Sequence, residues 1–163
     1  MDKNSLLKQI ADYAILNKEK LYRLAYSYVK NADDALDIVQ ESTYKAMVSI
    51  DTVKDPSCIK TWFYRIIVNT SLDFLRKRKR EILLEEENWE LLDTGSEDQY
   101  PDLDLRKALE ELSDNCRTII VLRYFEDLKL DEIADILDEN VNTVKTKLYK
   151  SLKKLNLKMS ESI

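Results

Sequence analysis

Leu130-Asp131-Glu132-Ile133-Ala134-Asp135-Ile136-Leu137-Asp138-Glu139-Asn140-Val141-Asn142-Thr143-Val144-Lys145-Thr146-Lys147-Leu148-Tyr149-Lys150 is the stretch that decides the fold. Leu130, Ile133, Ala134 and Leu137 recur at spacings of three and four, the period of a helix with one buried stripe. Asp138-Glu139-Asn140-Val141 interrupts the pattern, and Val144, Leu148, Leu152 and Leu155 resume it. Two helices across so short a connection have the dimensions of a helix-turn-helix. On the far side of the second helix stand Asn142, Thr143, Lys145, Thr146, Lys147, Tyr149 and Lys150. Lysines neutralise phosphates, and Thr, Asn and Lys reach base edges, so this face suits the major groove. A solvated cationic face, a membrane-surface helix or a partner-binding helix would carry the same residues.

Upstream, the periodicity predicts helices over Leu105–Leu112 and Asn115–Phe125, ahead of Asp131–Leu137 and Asn142–Leu157. Before these lies a stretch of opposite character. Glu81 to Asp104 holds ten acidic residues and no basic one, together with the only glycine, Gly95, and Pro101. Thr94 to Gln99 has no apolar residue and reads as loop. A linker is therefore expected over 81–103, dividing the chain into segments 1–80 and 104–163. Leu83, Leu84, Trp89, Leu91 and Leu92 are more than a solvated linker needs. The acids could imitate nucleic acid in a basic channel, mask the chain's own cations, or serve solubility alone.

The N-terminal segment reads as three or four helices. Leu6 to Val29 keeps helical spacing; Asn31-Ala32-Asp33-Asp34 offers a cap and first-turn acids for a helix to about Ile50. Asp55-Pro56-Ser57 breaks the chain and starts a long helix to about Arg80. On that helix Phe63, Ile66, Ile67, Thr70 and Phe74 make a core face. Trp62, Arg65, Asn69, Asp73 and Arg76 form another, leading into Arg76-Lys77-Arg78-Lys79-Arg80. Aromatic surface beside phosphate-binding charge is what unpaired bases require. A tucked-in Trp and a helix end favoured by the macrodipole would look the same. Asp34, Asp37, Gln40, Glu41 and Tyr44 form an acidic stripe that could dock on a basic helix or simply be solvated.

The whole composition agrees with an all-α fold. One glycine and two prolines in 163 residues are too few for the turns of a β protein. The net charge of −5 conceals an asymmetry: without the ten linker acids, 26 basic residues face 21 acidic ones. Histidine is absent, and neither a glycine-rich phosphate loop nor a nucleophile–base pair is visible, so no catalytic constellation, metal site or cofactor is expected. Cys58 and Cys116 show no metal-ligand spacing and are expected to be reduced, buried thiols. No apolar stretch is long enough for a signal peptide or membrane insertion, which favours the cytoplasm. On residues alone, a free-standing duplex-binding regulator and a protein-binding adaptor both remain open.

Taken together, three segments resemble the extracytoplasmic-function sigma factors, the compact two-domain sigma factors of bacteria. Asp34 to Glu41 is similar to the family's polymerase-binding helix. Thr61-Trp62-Phe63-Tyr64-Arg65-Ile66-Ile67-Val68-Asn69-Thr70, with Asp73 and Leu75-Arg76-Lys77, is similar to its promoter-melting helix. Leu112, Arg117 to Phe125, Asp131-Glu132-Ile133-Ala134 and Asn142 to Leu148 resemble its C-terminal domain. The likeness covers about residues 18–80 and 104–156, in order. It implies two small helical domains, region 2-like and region 4-like, joined by the acidic linker. It also implies that Asp37, Gln40 and Glu41 grip the β′ clamp coiled coil of core RNA polymerase, with the β flap as a second contact. Loop Val53-Lys54-Asp55-Pro56-Ser57 and Asn69 would pocket a flipped base of the −10 element, supported by Trp62 and Arg65, while Arg76, Lys77, Arg78, Lys79 and Arg80 hold backbone. Asn142, Thr143, Lys145, Thr146, Lys147, Tyr149 and Lys150 would read the −35 element. An anti-sigma factor, able to hold the chain at the inner membrane face, is a further implied partner. Lys129 stands where the family often has a capping Ser or Thr. Asp138 replaces a common glycine, which its tolerance of left-handed backbone allows. Lysines stand for arginines on the recognition helix and lack their bidentate fork.

Overall fold

The computed structural model describes residues 2–85 and 103–161. Expectations placed on residues 86–102, including Trp89, Leu91, Leu92 and most of the linker's acids, lie outside these. Among the described residues all regular structure is helical, as the turn-poor composition requires. Four helices, α1 (Lys3–Leu16), α2 (Lys18–Val29), α3 (Ala32–Val48) and α4 (Ile59–Leu84), form the N-terminal bundle. Four more, α5 (Leu103–Glu110), α6 (Asp114–Ile120), α7 (Leu130–Leu137) and α8 (Val141–Glu161), form the second.

Local chemistry sets most boundaries. The Asp2 carboxylate accepts the Ser5 amide at 2.7 Å and starts α1. Asn17 then divides the expected single run Leu6–Val29 into two helices, its backbone leaving helical geometry at φ −109°. Lys30 ends α2 in the left-handed region, φ 54°, and the Asn31 side chain accepts the Asp34 amide at 2.9 Å to open α3. Short 3₁₀ turns at Ile50–Thr52 and Pro56–Cys58 lead into α4, which runs four residues beyond Arg80 to Leu84. The expected helix Asn115–Phe125 starts one residue early and widens to a π turn over Val121–Phe125. Asp138 closes α7 at φ 57°, the geometry a carboxylate side chain tolerates there.

The inward stripes are largely those the spacing predicts. Phe63, Ile67 and Thr70 of α4 are buried against Leu21 and Leu24 of α2 and Ala35 and Ile38 of α3. Val144, Leu148, Ser151 and Leu155 of α8 are buried with Ile133, Ala134 and Ile136 of α7 and Ile119 and Leu122 before them. The two cysteines are unpaired, but neither is buried: Cys58 is exposed at the N-cap of α4, and Cys116 half-buried in the first turn of α6. Both sit at helix starts, Cys58 in solvent and Cys116 packed only partly against the core, which corrects the expectation of buried thiols.

The bundles touch. Helix α4 packs against α7, the Tyr28 hydroxyl meets the Thr118 hydroxyl in the buried seam, and Lys30 lies 2.6 Å from Glu110. No described helix is long and apolar enough to cross a membrane.

Candidate nucleic-acid interface

Three charged surfaces emerge from this packing. On α3, burial of Ala35, Ile38, Ser42 and Ala46 turns Asp37, Gln40 and Glu41 outward into solvent. Tyr44 continues the stripe, 69% exposed. Leu36 lies beside it, 43% exposed, and lines a cavity of about 400 Å³ with Lys18, Glu19, Tyr22 and Arg23 of α2. Sequence reasoning passed over Leu36, although an apolar residue off the inward stripe was the available signal.

The second surface is the loop before α4 and that helix's outer face. Lys54, Asp55, Pro56 and Ser57 are exposed and Val53 half-buried. The Asp55 carboxylate accepts the Ser57 amide at 3.0 Å, and hydrogen bonds from the Ser57 amide and hydroxyl hold its carboxyl below the ordinary value. Trp62 is half-buried rather than fully exposed: its ring meets Phe63 edge-on with centroids 6.4 Å apart, and its indole N–H donates to Thr52 Oγ1 at 3.0 Å. That bond ties the loop to α4. Arg65 and Asn69 are exposed one turn apart.

The run Arg76–Arg80 does not act as one patch, because successive helical residues point about 100° apart. Arg76 pairs with Asp73 at 2.8 Å. Arg78 turns back, donating to the Val29 carbonyl at 3.4 Å and standing 3.9 Å from Asp34. Lys77, Lys79 and Arg80 are exposed.

The third surface is α8. Asn142, Thr143, Lys145, Thr146, Tyr149 and Lys150 are all exposed, on the side opposite the buried Val144, Leu148 and Ser151. Lys147 stands apart. Its ammonium donates to Asn115 Oδ1 at 2.9 Å and Glu139 Oε1 at 3.0 Å, pinning α8 to α6 and the turn. Lys153 and Lys154 are exposed further along the helix, a continuation that the three-and-four spacing could have revealed.

Between the second and third surfaces runs the seam. Arg65 stands 3.7 Å from Asp138 of the helix-turn-helix turn, and Lys60 4.0 Å from Glu132 of α7. The Tyr64 hydroxyl donates to Glu126 Oε1 at 2.9 Å. Burial raises the Glu126 carboxyl above its ordinary value, opposed by the Tyr64 hydrogen bond and the charges of Arg23, Lys20 and Lys60. Burial, with Glu126 and Glu132 nearby, pushes Tyr13 up to about 12. Among the described residues no group of His, Cys, Asp and Glu could hold a metal ion.

Comparison with known proteins adds a lineage to this geometry. Residues 16–81 match the family described as Sigma-70 region 2, and residues 102–155 match Sigma-70, region 4. The RNA polymerase sigma factor SigV of Bacillus subtilis (strain 168) is 55% identical over 145 residues, 89% of this chain and 87% of the relative. The ECF RNA polymerase sigma factor SigW of the same organism is 34% identical over 166 residues, covering 93% and 89%. Two solved structures share the fold. One is the sigma factor RpoE in complex with the anti-sigma factor NepR from Bartonella quintana, with TM-score 0.76 and 24% identity over 94% of this chain and 98% of that one. The other is CnrH in complex with the cytosolic domain of CnrY, with TM-score 0.71 and 21% identity over 94% and 89%. The chain belongs to the extracytoplasmic-function RNA polymerase sigma factors, which bind core RNA polymerase and promoter DNA to initiate transcription and are not themselves enzymes.

Proposed function

We propose that this sigma factor divides its work among the three surfaces, with residues 1–80 and 104–163 as its functional domains and 81–103 as their connector. Asp37, Gln40 and Glu41 grip the β′ clamp coiled coil, with Leu36 adding an apolar contact at the edge of the α2–α3 cavity. The second bundle meets the β flap. Loop Val53–Ser57 and Asn69 receive an unpaired −10 base. Trp62 and Arg65 support the pocket, and the exposed cations near the end of α4 follow the backbone. Asn142, Thr143, Lys145, Thr146, Tyr149 and Lys150 enter the major groove at the −35 element, while Lys147 holds the recognition helix in place.

The single observation that carries this reading is the α8 face. Six polar or cationic side chains are exposed together, backed by Val144, Leu148 and Leu155 in the core. A helix that only buttressed its bundle would have no need of so uniform an outer face. Run-off transcription with core polymerase tests the assignment. Transcripts that depend on the protein should fall with Asn69→Ala and with Lys145→Ala/Lys150→Ala. Retention of duplex fragments without core binding or transcripts would instead favour a free-standing duplex-binding regulator.

An anti-sigma factor is the expected controlling partner, supported by the complexes in which both structural relatives were solved. Working in the cytoplasm, the chain would then be held by a cytosolic inhibitor or at the inner face of the membrane by a membrane-bound one. Co-purification from the native host should recover such a protein; its absence under uninduced conditions would count against this control.

A further inference from the structure

Helix α1 carries no residue of the three surfaces described above, and all but its last residue precedes position 16, where the likeness to Sigma-70 region 2 begins. Its packing is nevertheless specific. It lies against α2, α3 and the 3₁₀ turn Ile50–Thr52. Ile10 is fully buried, and Leu6, Leu7 and Tyr13 are partly buried in the same core as Ile50 and Val53. At the start of α1, Lys3 stands 4.0 Å from Asp51 of that turn. Both groups are exposed, so this pair is weak and the apolar contacts carry the attachment.

The turn leads directly into loop Val53–Ser57, so what fixes one fixes the other. Local hydrogen bonds set the shape of the segment. The Thr52 amide donates to the Ser49 carbonyl at 2.8 Å and the Val53 amide to the Ile50 carbonyl at 3.2 Å, while Asp55 accepts the Ser57 amide. None of these bonds reaches the outer face of α4. The tie to that face is the Trp62 indole N–H on Thr52 Oγ1 at 3.0 Å. The Trp62 ring in turn meets Phe63 edge-on, at 88° with centroids 6.4 Å apart. Phe63 meets a third ring, Tyr13 of α1, at 5.6 Å and a tilt of 38°. Aromatic neighbours favour offset and edge-on geometry, so each ring of this row limits the plane of the next. Tyr13, Phe63, Trp62 and Thr52 thus form a relay from α1 to the loop, with the exposed Asn69 about two turns beyond Trp62 on the same helix.

We propose that α1 is a positioning element of the −10 site, in which Tyr13 holds the Phe63 and Trp62 rings in the planes that keep loop Val53–Ser57 in place for one unpaired base. The inference rests on the −10 reading of α4 and its loop. Tyr13 acts on the strand only through Phe63 and Trp62. A pocket for a single base discriminates only while its walls are fixed. A displaced wall loses the contacts that tell bases apart, whereas attraction of the exposed cations for phosphate survives. Loosening the row of rings should therefore cost sequence preference rather than strand binding as such.

The test uses the full chain bound to core polymerase. Two single strands are compared, one bearing the −10 sequence of a promoter mapped by run-off transcription and one with that sequence scrambled. Tyr13→Leu keeps apolar bulk at a half-buried position and removes the ring. It should weaken the −10 strand by about three- to tenfold, the worth of one hydrogen bond lost at Trp62, and leave the scrambled strand unchanged. A loss of folded protein would lower both strands alike. Tyr13→Phe keeps the ring and should match the parent. Val29→Ala is the control for stability: Val29 is buried in the same bundle, and its carbonyl lies beside Arg78, about four turns of α4 from Trp62. It should lower the melting temperature and leave the ratio of the two affinities alone. An unchanged ratio in Tyr13→Leu, an equal fall in Val29→Ala, or an equal fall in Tyr13→Phe would overturn the relay. Failure of the −10 reading has a separate signature: Asn69→Ala would leave the parent's ratio untouched, and the positioning role would fall with it.

Discussion

Helices α4 and α8 are both long, both basic on their outer faces and both anchored by an apolar stripe, yet their cations are in different circumstances. On α8, Lys145 and Lys150 face solvent with no carboxylate opposite them in any described contact, and Lys147 alone is engaged. On α4, Lys60, Arg65, Arg76 and Arg78 each stand within 4.0 Å of a carboxylate. Equal charge is thus not equal availability. A helix at the rim of its bundle can present a whole face, whereas one packed against α2, α3 and α7 must share its outer surface. The comparison yields tests that differ in size, according to how many neighbours each side chain supports.

Phe63 should matter most. It is fully buried on α4, with the Tyr13 ring 5.6 Å away and Trp62 edge-on, so Phe63→Ala should cost about 3–5 kcal/mol in chemical denaturation. Leu148→Ala on α8, within one bundle, should cost about 2–4 kcal/mol. Equal losses would show that α4 is no more central than α8.

The next test separates cations on a single helix. Lys145→Ala/Lys150→Ala should weaken promoter-duplex binding by about one to two orders of magnitude and flatten its salt dependence by a slope of about 0.9 per lost phosphate contact. Lys147→Ala should instead lower the melting temperature of the second bundle, because it leaves the half-buried Glu139 carboxylate without its cation, held only by the Asn115 amide at 3.1 Å. A DNA defect in Lys147→Ala equal to that of the pair would return Lys147 to the groove.

This distinction also marks how far the sequence could be read. The period of Val144, Leu148 and Leu155, the Asn31 cap with Asp33 and Asp34, and the left-handed Asp138 are local properties, carried by neighbours within a turn or two. The division at Asn17 was not legible, because no glycine or proline marks it and apolar spacing continues across it. The extension of α4 to Leu84 was hidden by acids that read as linker. Lys147 was placed with the other lysines because periodicity assigns a face but not the partner waiting beside it. Least legible was the seam. Tyr64 and Glu126 are 62 residues apart, and no local pattern announces that one will donate to the other.

Acidity offers a smaller test of that seam. Burial raises Glu126 above its ordinary 4.5 when the bundles are closed, among Tyr64, Tyr13, Arg23, Lys20 and Lys60. Burial penalises the charged carboxylate, so closure is favoured as pH falls from neutral through the raised value and disfavoured as pH rises through it. Joining of Lys30 to Glu110, 2.6 Å apart across the seam, by a zero-length carbodiimide should therefore be a few-fold greater at mildly acidic pH than at neutrality, relative to the Lys147–Glu139 pair within the second bundle. Tyr64→Phe removes the hydrogen bond that opposes the shift, so the same transition should move to higher pH. A flat profile in both proteins would exclude Glu126 as a contributor to closure.

The smallest effect belongs to the loop before α4. The Trp62 indole N–H donates to Thr52 Oγ1, and the Thr52 hydroxyl donates to the Ser49 carbonyl at 2.7 Å, so one side chain joins the end of α3 to the start of the −10 face. Thr52→Val keeps the shape and removes both bonds, at a cost of about 0.5–1.5 kcal/mol. Because the pair is near the surface, most of that loss should appear as loosening of the loop, read as a shift in Trp62 fluorescence and a modest fall in affinity for the −10 strand. Thr52→Ser, which keeps the hydroxyl, should restore both. A Trp62 signal unmoved by Thr52→Val would mean that packing on Phe63 alone sets the indole, and the loop would then owe its position to Pro56 and the Asp55 turn.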